Sequence, residues 1–257
     1  MGFIDRLHNA WKIFKTSFAF VGRDKSLMII PIIMVLSCFL LIIPFFIIFV
    51  GSAIVFRYAF AGVLLCLLLA NFWNTFLMSA QSWMVHEVAQ GKDTTVMSGI
   101  KRALHNVGDI FVYSVVFMIV GILLSMIRQK GGFIGRMIAD LLGVFAGIIG
   151  KLILPAMIIT ERSFGDAVKQ LKHAKKAIPE IATFEIGIRP IVSLTTFFTF
   201  IFAVILFLLF GPIPAIIFFV LYLIVLSMVS LFINNTYYTL LYLTLIEKKH
   251  VKGLHLR

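Results

Sequence analysis

Charge is scarce in this chain, and negative charge scarcer still. Of 257 residues only 13% are Asp, Glu, Lys or Arg, and 11 are acidic. A soluble domain carries about a quarter charged residues, so a water-facing globular fold is excluded over most of the length. No polar stretch exceeds about 30 residues, short of the roughly 40 below which a lone domain seldom holds a core, so no separate soluble domain is expected. Cysteine is nearly absent. Cys38 and Cys66 both fall inside apolar runs, where they read as small buried hydrophobes, not as a disulfide or redox pair. A cleavable leader is not expected, because the N-terminus is a charged amphipathic segment without a short apolar core and small-residue cleavage site. Nucleotide loops, nucleophile–base sets and metal clusters are missing too. His86-Glu87 begins a zinc-helix pattern, but position 90, where the second His belongs, is Gln90. The sequence therefore predicts no catalytic residue, no metal and no cofactor.

What the chain has in abundance is apolar sequence, 61% of its residues. The fold class this predicts is all-α, a membrane helical bundle. Leu27 to Ser82 contains one charged residue, Arg57. It is too long for one crossing, which takes about 20 residues, and divides near Gly51–Arg57 into spans at 27–50 and 58–82. Pro31 and Pro44 in the first are tolerated where neighbours satisfy the freed carbonyls. Asn71 and Asn74 in the second share a face and suit hydrogen bonds across helices, at about 0.6–2 kcal/mol each. Asp109 to Ile127 is a short third span with Gly121 and Ser125 as a packing pair, and Arg128 to Gly132 is its turn. Ile188 to Ile246 divides at Gly211-Pro212-Ile213-Pro214 into a fifth and a sixth span. The sixth, 214–246, would measure about 50 Å against roughly 30 Å of hydrocarbon, so it must tilt, break or project. Asn234, Asn235 and Thr236, followed by Tyr237 and Tyr238, place the interface near them.

The fourth span, Gly135 to Thr160, carries the densest signal. Gly135, Ala139, Gly143 and Gly147 recur every fourth place and form a ridge for close helix approach, within the chain or in a homo-oligomer. Lys151 and then Pro155 continue that row. Proline has no N–H, so the Lys151 carbonyl loses its helical partner. A charge and a freed carbonyl thus fall on one face at membrane depth, where polar groups are costly. Asp140 is close in angle to Lys151, about 16 Å away along the axis, and the two suit one polar track with Asn71 and Asn74. Lys151 either faces the bundle or snorkels.

Between the spans lie three basic amphipathic helices. In the first, residues 1–25, Ile4, Leu7, Trp11, Phe14, Phe18 and Val21 form an apolar stripe opposite Lys12 and Lys15, as in a helix lying in a membrane interface. The second, about 95–107 and capped by Asp93 or Thr94, sets Val96, Ile100, Leu104 and Val107 opposite Lys101 and Arg102. The third starts at the capping box Ser163–Asp166 and carries Lys169, Lys172, Lys175 and Lys176. These eight basic residues are candidate contacts to lipid headgroups. His86 and Glu87 read as the point where the second span leaves the membrane. The chain reads as one transmembrane domain, 1–257, with possible units 1–85, 93–160 and 163–246, each an amphipathic helix followed by a transmembrane hairpin.

Of the 23 Lys and Arg, 18 fall on the side of the termini and amphipathic helices, 4 on the other side, and Lys151 within a span. That bias over short loops predicts that both termini are cytoplasmic, in a multi-pass protein of the cell membrane. It also argues against nucleic acid as a partner, because the charge borders spans and lacks stacking aromatics.

Trp11 with Lys15 and Ser17, the Asp24–Pro31 stretch, Asn71, and LPAMIITERSFGDAVKQLKHA after the small-residue helix resemble an uncharacterised family of six-span membrane proteins of bacteria and archaea. The chain departs from it at Lys172, where a small hydroxyl residue is usual, and in having Lys151. The resemblance implies fold and membrane location; it brings no activity, substrate or catalytic residue. Function is then expected to be non-enzymatic, with a basic cytoplasmic face engaging anionic lipid or a partner. The alternative is a channel or transporter for a small, possibly anionic, solute.

Overall fold

The computed structural model describes residues 3–37, 56–171, 196–202 and 204–247. Among them are nine helices and no strand. In chain order these are α1 (Phe3–Arg23), α2 (Lys25–Ser37, its first turn 3-10), α3 (Phe56–Ala89), α4 (Val96–His105), α5 (Val107–Lys130), α6 (Gly132–Thr160), α7 (Phe164–Leu171), α8 (Thr196–Phe210) and α9 (Pro212–Leu241). A π turn, Tyr242–Ile246, extends α9. Four stretches are long and apolar enough to cross a membrane: Gly62–Ala89, Val107–Lys130, Gly132–Thr160 and Pro212–Thr244. Cys38, Pro44, Lys172, Lys175 and Lys176 lie outside the described residues, as does much of the first and fifth predicted spans. Cys66 is a free, half-buried thiol on α3.

Local chemistry sets the helix ends. Gly211 sits at φ 87°, a backbone angle that L side chains rarely adopt, and Pro212 opens α9 where a missing N–H costs nothing. The Ser163 hydroxyl accepts from the Asp166 amide at 3.3 Å and donates to its carboxylate at 2.9 Å, which starts α7. The cap of α4 is Thr95, one residue beyond the predicted choice, and its hydroxyl accepts from the Ser98 amide.

The buried core sits where the C-terminal halves of α3, α6 and α9 meet α1, α2 and α4. Met84, Val85, Ile153, Met157, Tyr237 and Leu241 are central to it. Away from it the long helices carry exposed apolar side chains, among them Phe133 and Leu208 at 78% and 75%. That surface suits hydrocarbon and is far too large for water.

Several predicted faces are rotated or extended. α3 runs to Ala89, beyond the predicted end at 82, so His86 is buried within it and does not mark an exit into water. α4 turns Gly99 and Ala103 inward and leaves Leu104 exposed; Val107, the first residue of α5, is exposed as well. A Cβ on Gly99 would stand 2.6 Å from the Ala80 carbonyl oxygen, so only glycine permits that crossing of α4 over α3. Gly121 and Ser125 both face outward, and no described residue lies within 4 Å of a Cβ placed on Gly121.

The small-residue ridge holds for its first three members. Gly135 and Ala139 are buried toward α5, a Cβ on Gly135 would lie 2.9 Å from the Ile127 oxygen, and Gly143 approaches Leu124. Gly147 is exposed, with nothing among the described residues within 4 Å of the Cβ site. The cause is helical pitch. At about 3.6 residues per turn, each step of four drifts by roughly 40°, while a step of seven returns to within about 20°. Gly150, seven after Gly143, therefore takes the contact, against the rings of Tyr113 and Phe117.

Candidate functional site

Two groups of polar residues sit in and beside this core. The first is a seam between α3 and α9. Ser82 donates to the Asn235 side-chain oxygen at 3.1 Å, and the Asn235 amide donates to the Met78 carbonyl at 2.9 Å. The Thr239 hydroxyl lies 3.2 Å from that of Ser82 and 2.8 Å from the Asn235 carbonyl. Gln81 reaches the Phe232 carbonyl at 3.5 Å. Asn235, Thr236, Tyr237, Tyr238 and Thr239 are all buried, so this polar stretch is a helix-packing surface, which its composition alone did not show. The signal available in sequence was pairing: hydroxyl and amide residues concentrate at the C-terminal ends of two helices, Ser79–Ser82 and Asn235–Thr239.

Lys151 borders the seam. Its ammonium lies over the buried Tyr238 ring, 4.7 Å from the centroid, so it faces α9. A cation–π contact is worth about 0.5–2 kcal/mol depending on desolvation. Pro155 is buried one turn further on within α6. The other proposed members of a track are elsewhere. Asp140 pairs with Arg128 at 2.5 Å on an exposed surface toward the opposite end. Asn71 donates to the Ser114 carbonyl at 2.9 Å, bridging α3 and α5, and Asn74 is half-buried one turn on.

The second group is a collar of side-chain bonds among the connecting segments. Asp24 accepts from the amides of Ser26 (2.9 Å) and Thr94 (3.1 Å). Burial pushes the Asp24 carboxyl up, but the Ser26 side chain and these two amides outweigh it and hold it below the usual carboxylate range. Glu87 accepts from the hydroxyls of Thr94 and Ser98 at 2.5 and 2.6 Å. Asp109, in the first turn of α5, accepts from the Phe164 amide at 2.9 Å and so fixes the start of α7. Tyr242 and Gln170 meet Glu247 at 3.1 and 3.4 Å.

Arg102 is the centre of this collar, not a lipid contact. Its side chain is 13% exposed. It donates from Nε to the Ile158 carbonyl at 2.9 Å, pairs with Glu161, and lies 4.3 Å over the Trp83 ring. The guanidinium holds the Glu161 carboxyl below its ordinary range. One residue thereby joins α3, α4 and the end of α6.

Of the other basic candidates among the described residues, three point outward. Lys15 and Lys101 are exposed, Lys12 is half-buried, and Lys169 is exposed and 3.3 Å from Asp166. On α1, Ile13, Thr16, Ser17 and Phe20 are buried, α1 packing mainly against α9. Trp11, Phe14 and Phe18 form a continuous stripe on another face, with ring centroids 5.4 and 5.1 Å apart. Trp11 is 57% exposed, Phe18 46%, and Lys15 lies among them. α4 repeats the device: Gly99 and Ala103 are buried, while Met97, Lys101 and Leu104 are exposed at a spacing of four and three.

Against known proteins, the Family of unknown function (DUF6159) matches residues 50–253, well over half of the chain. No curated protein and no solved structure matches it.

Proposed function

We propose, on the premise that the chain belongs to the DUF6159 family and that this family's description assigns no activity, a non-enzymatic protein that crosses the cytoplasmic membrane several times and binds anionic lipid through a basic cytoplasmic face. The observation that carries this reading is the two-faced α1. A helix packed on protein by one face and showing Trp11, Phe18 and Lys15 on another, with Phe14 half-buried between the two rings, has the composition of an interfacial anchor. The collar supports a common side for the basic segments, because its bonds join the α1–α2 turn, the α3–α4 loop, the ends of α6 and α7, and Glu247. With 18 of 23 basic residues in those segments, that side is the cytoplasm, and both termini with it. Exposed lysines beside an anionic leaflet gain about 1 kcal/mol each, less with added salt.

In bilayers, with Trp73 and Trp83 replaced by Phe, Trp11 fluorescence is expected to be quenched more by lipids brominated near the headgroup than near the chain end. Replacing Lys12, Lys15, Lys101 and Lys169 with Gln is expected to lower the preference for anionic over neutral lipid by at least about tenfold at low salt. Equal wild-type enrichment of both lipids would overturn the lipid reading. For topology, Lys15→Cys in a chain free of Cys38 and Cys66 should react with an impermeant maleimide only after cells are permeabilised; labelling of intact cells would refute it.

A second reading, passage of a small anion, is favoured by one observation: Lys151 faces α9 at membrane depth over Tyr238. An inward charge costs about 2.5–3.5 kcal/mol at a span centre and calls for a compensating role. On this reading Lys151→Met keeps or raises the thermal midpoint in detergent and abolishes anion flux from liposomes. Full flux in the variant, where the wild type conducts, would reject it.

A further inference from the structure

Almost every side-chain polar group in the α3–α9 seam has a partner. Ser79 donates to the Thr75 carbonyl at 2.8 Å, and Ser82, Asn235 and Thr239 bond one another and the backbone. Two groups differ. Gln81 Oε1 and Thr236 Oγ1 have no hydrogen-bond partner among the described residues, although both side chains are 0% exposed. A buried acceptor left unbonded is costly, because folding strips its water and returns nothing.

Both groups lie beside the same turn of α9. The other atom of the same amide, Gln81 Nε2, lies 3.5 Å from the Phe232 carbonyl oxygen. In an α-helix that carbonyl also receives the N–H of the residue four later, which is Thr236. The Gln81 amide therefore lies alongside the turn of α9 that carries the Thr236 hydroxyl.

We propose that one water molecule is bound between α3 and α9, donating to Gln81 Oε1 and bonded to Thr236 Oγ1. The chemistry favours water over a cation. A buried water makes about two to four hydrogen bonds and uses both donors and acceptors; the Gln81 amide oxygen accepts, and the Thr236 hydroxyl can donate or accept. A hard cation needs about six oxygens, and the nearby side-chain oxygens of Ser82, Asn235 and Thr239 are committed to each other. The inference stands apart from the lipid reading. It makes this seam hydrated, with a water bridge between two helices long enough to span a membrane.

The sign of a stability change tests it. If water bridges the pair, Thr236→Val removes the water and leaves Gln81 Oε1 unbonded, and the thermal midpoint of the full chain in detergent falls by several degrees. Thr236→Ser keeps the hydroxyl and stays near wild type. Gln81→Met also lowers the midpoint, and the double variant loses less than the sum of the two, because one bridge cannot be lost twice. If nothing bridges the groups, Thr236→Val removes an unbonded hydroxyl and the midpoint rises or stays. Either of those results, or additive losses in the double variant, overturns the proposal. A second readout is water-edited solid-state NMR in bilayers. Magnetisation transfer from water to the Thr236 amide is expected in the wild type and absent in Thr236→Val; no transfer in the wild type overturns the site.

Discussion

Gly99→Val is expected to lower stability by about 3 kcal/mol or more, and to do so by lifting α4 off α3. The added Cβ would stand 2.6 Å from the Ala80 carbonyl oxygen and 2.9 Å from Met84 Cγ. Met84 can turn aside; a carbonyl inside α3 cannot, so the helices must separate. Overpacking of this kind costs about 1–3 kcal/mol for small additions. Two opposing effects decide which substitution to use. Gly99→Ala recovers about 1 kcal/mol of helix propensity, which offsets much of its clash, whereas Val recovers less and adds two more methyl groups. At roughly 2–4 °C per kcal/mol for a chain of this size, the Val variant should lose about 6–12 °C of thermal midpoint in detergent. Gly147→Ala is the control. Its Cβ meets nothing among the described residues within 4 Å, so it should gain about 0.5–1 kcal/mol from propensity alone. A Gly99→Val protein as stable as wild type would show that α4 does not cross α3 as described.

Arg102→Met is expected to cost about 2–4 kcal/mol. A charge-assisted hydrogen bond to a buried acceptor is worth about 1.5–3 kcal/mol, and the Trp83 contact adds about 0.5–2 kcal/mol. Methionine keeps the stem and its packing, so the loss isolates the guanidinium. Arg102→Lys should not restore it, because one ammonium cannot reach the Ile158 carbonyl, Glu161 and the Trp83 face together. The ionic part has a defined pH dependence. Arg102 lowers the Glu161 pKa in the folded chain, so that stabilisation is complete above the ordinary glutamate value of 4.5 and is lost as pH falls through the depressed one. The gap in thermal midpoint between wild type and Arg102→Met should therefore narrow in acid. A gap that is constant from neutral pH to below 4 would assign the whole effect to the Ile158 and Trp83 contacts.

Much of the helical layout was legible because it rests on local chemistry. Ser163–Asp166, Gly211–Pro212 and the length of the last span each act within a few residues, and the structure places helix ends there. What escaped depends on partners distant in sequence. Periodicity showed that α4 has an apolar stripe, but Gly99 and Ala103 turn inward because Ala80 lies opposite them. Asn235 to Thr239 have the composition of an interface, and only their contact with Met78 and Ser82 makes them core. Arg102 resembled the lysines beside it until Ile158, 56 residues on, supplied a reason to bury it. Lys15 and Trp11 could be found in sequence because their signal is exposure, which amphipathic spacing reports directly.

The end of α6 shows how far such dependence reaches. Glu161 sits at φ 53°, ψ 36°, the left-handed region, where a residue with a Cβ is disfavoured by about 1–2 kcal/mol. Helices commonly stop on a glycine in that conformation, and such a stop is written into the backbone itself. Here the backbone has no such licence, and the carboxylate of the strained residue is held by a guanidinium from another helix. The length of this membrane-spanning element is consequently not a local property of its own sequence. The stop of α6 is written partly in α4, whose Arg102 holds both the Ile158 carbonyl and the Glu161 carboxylate.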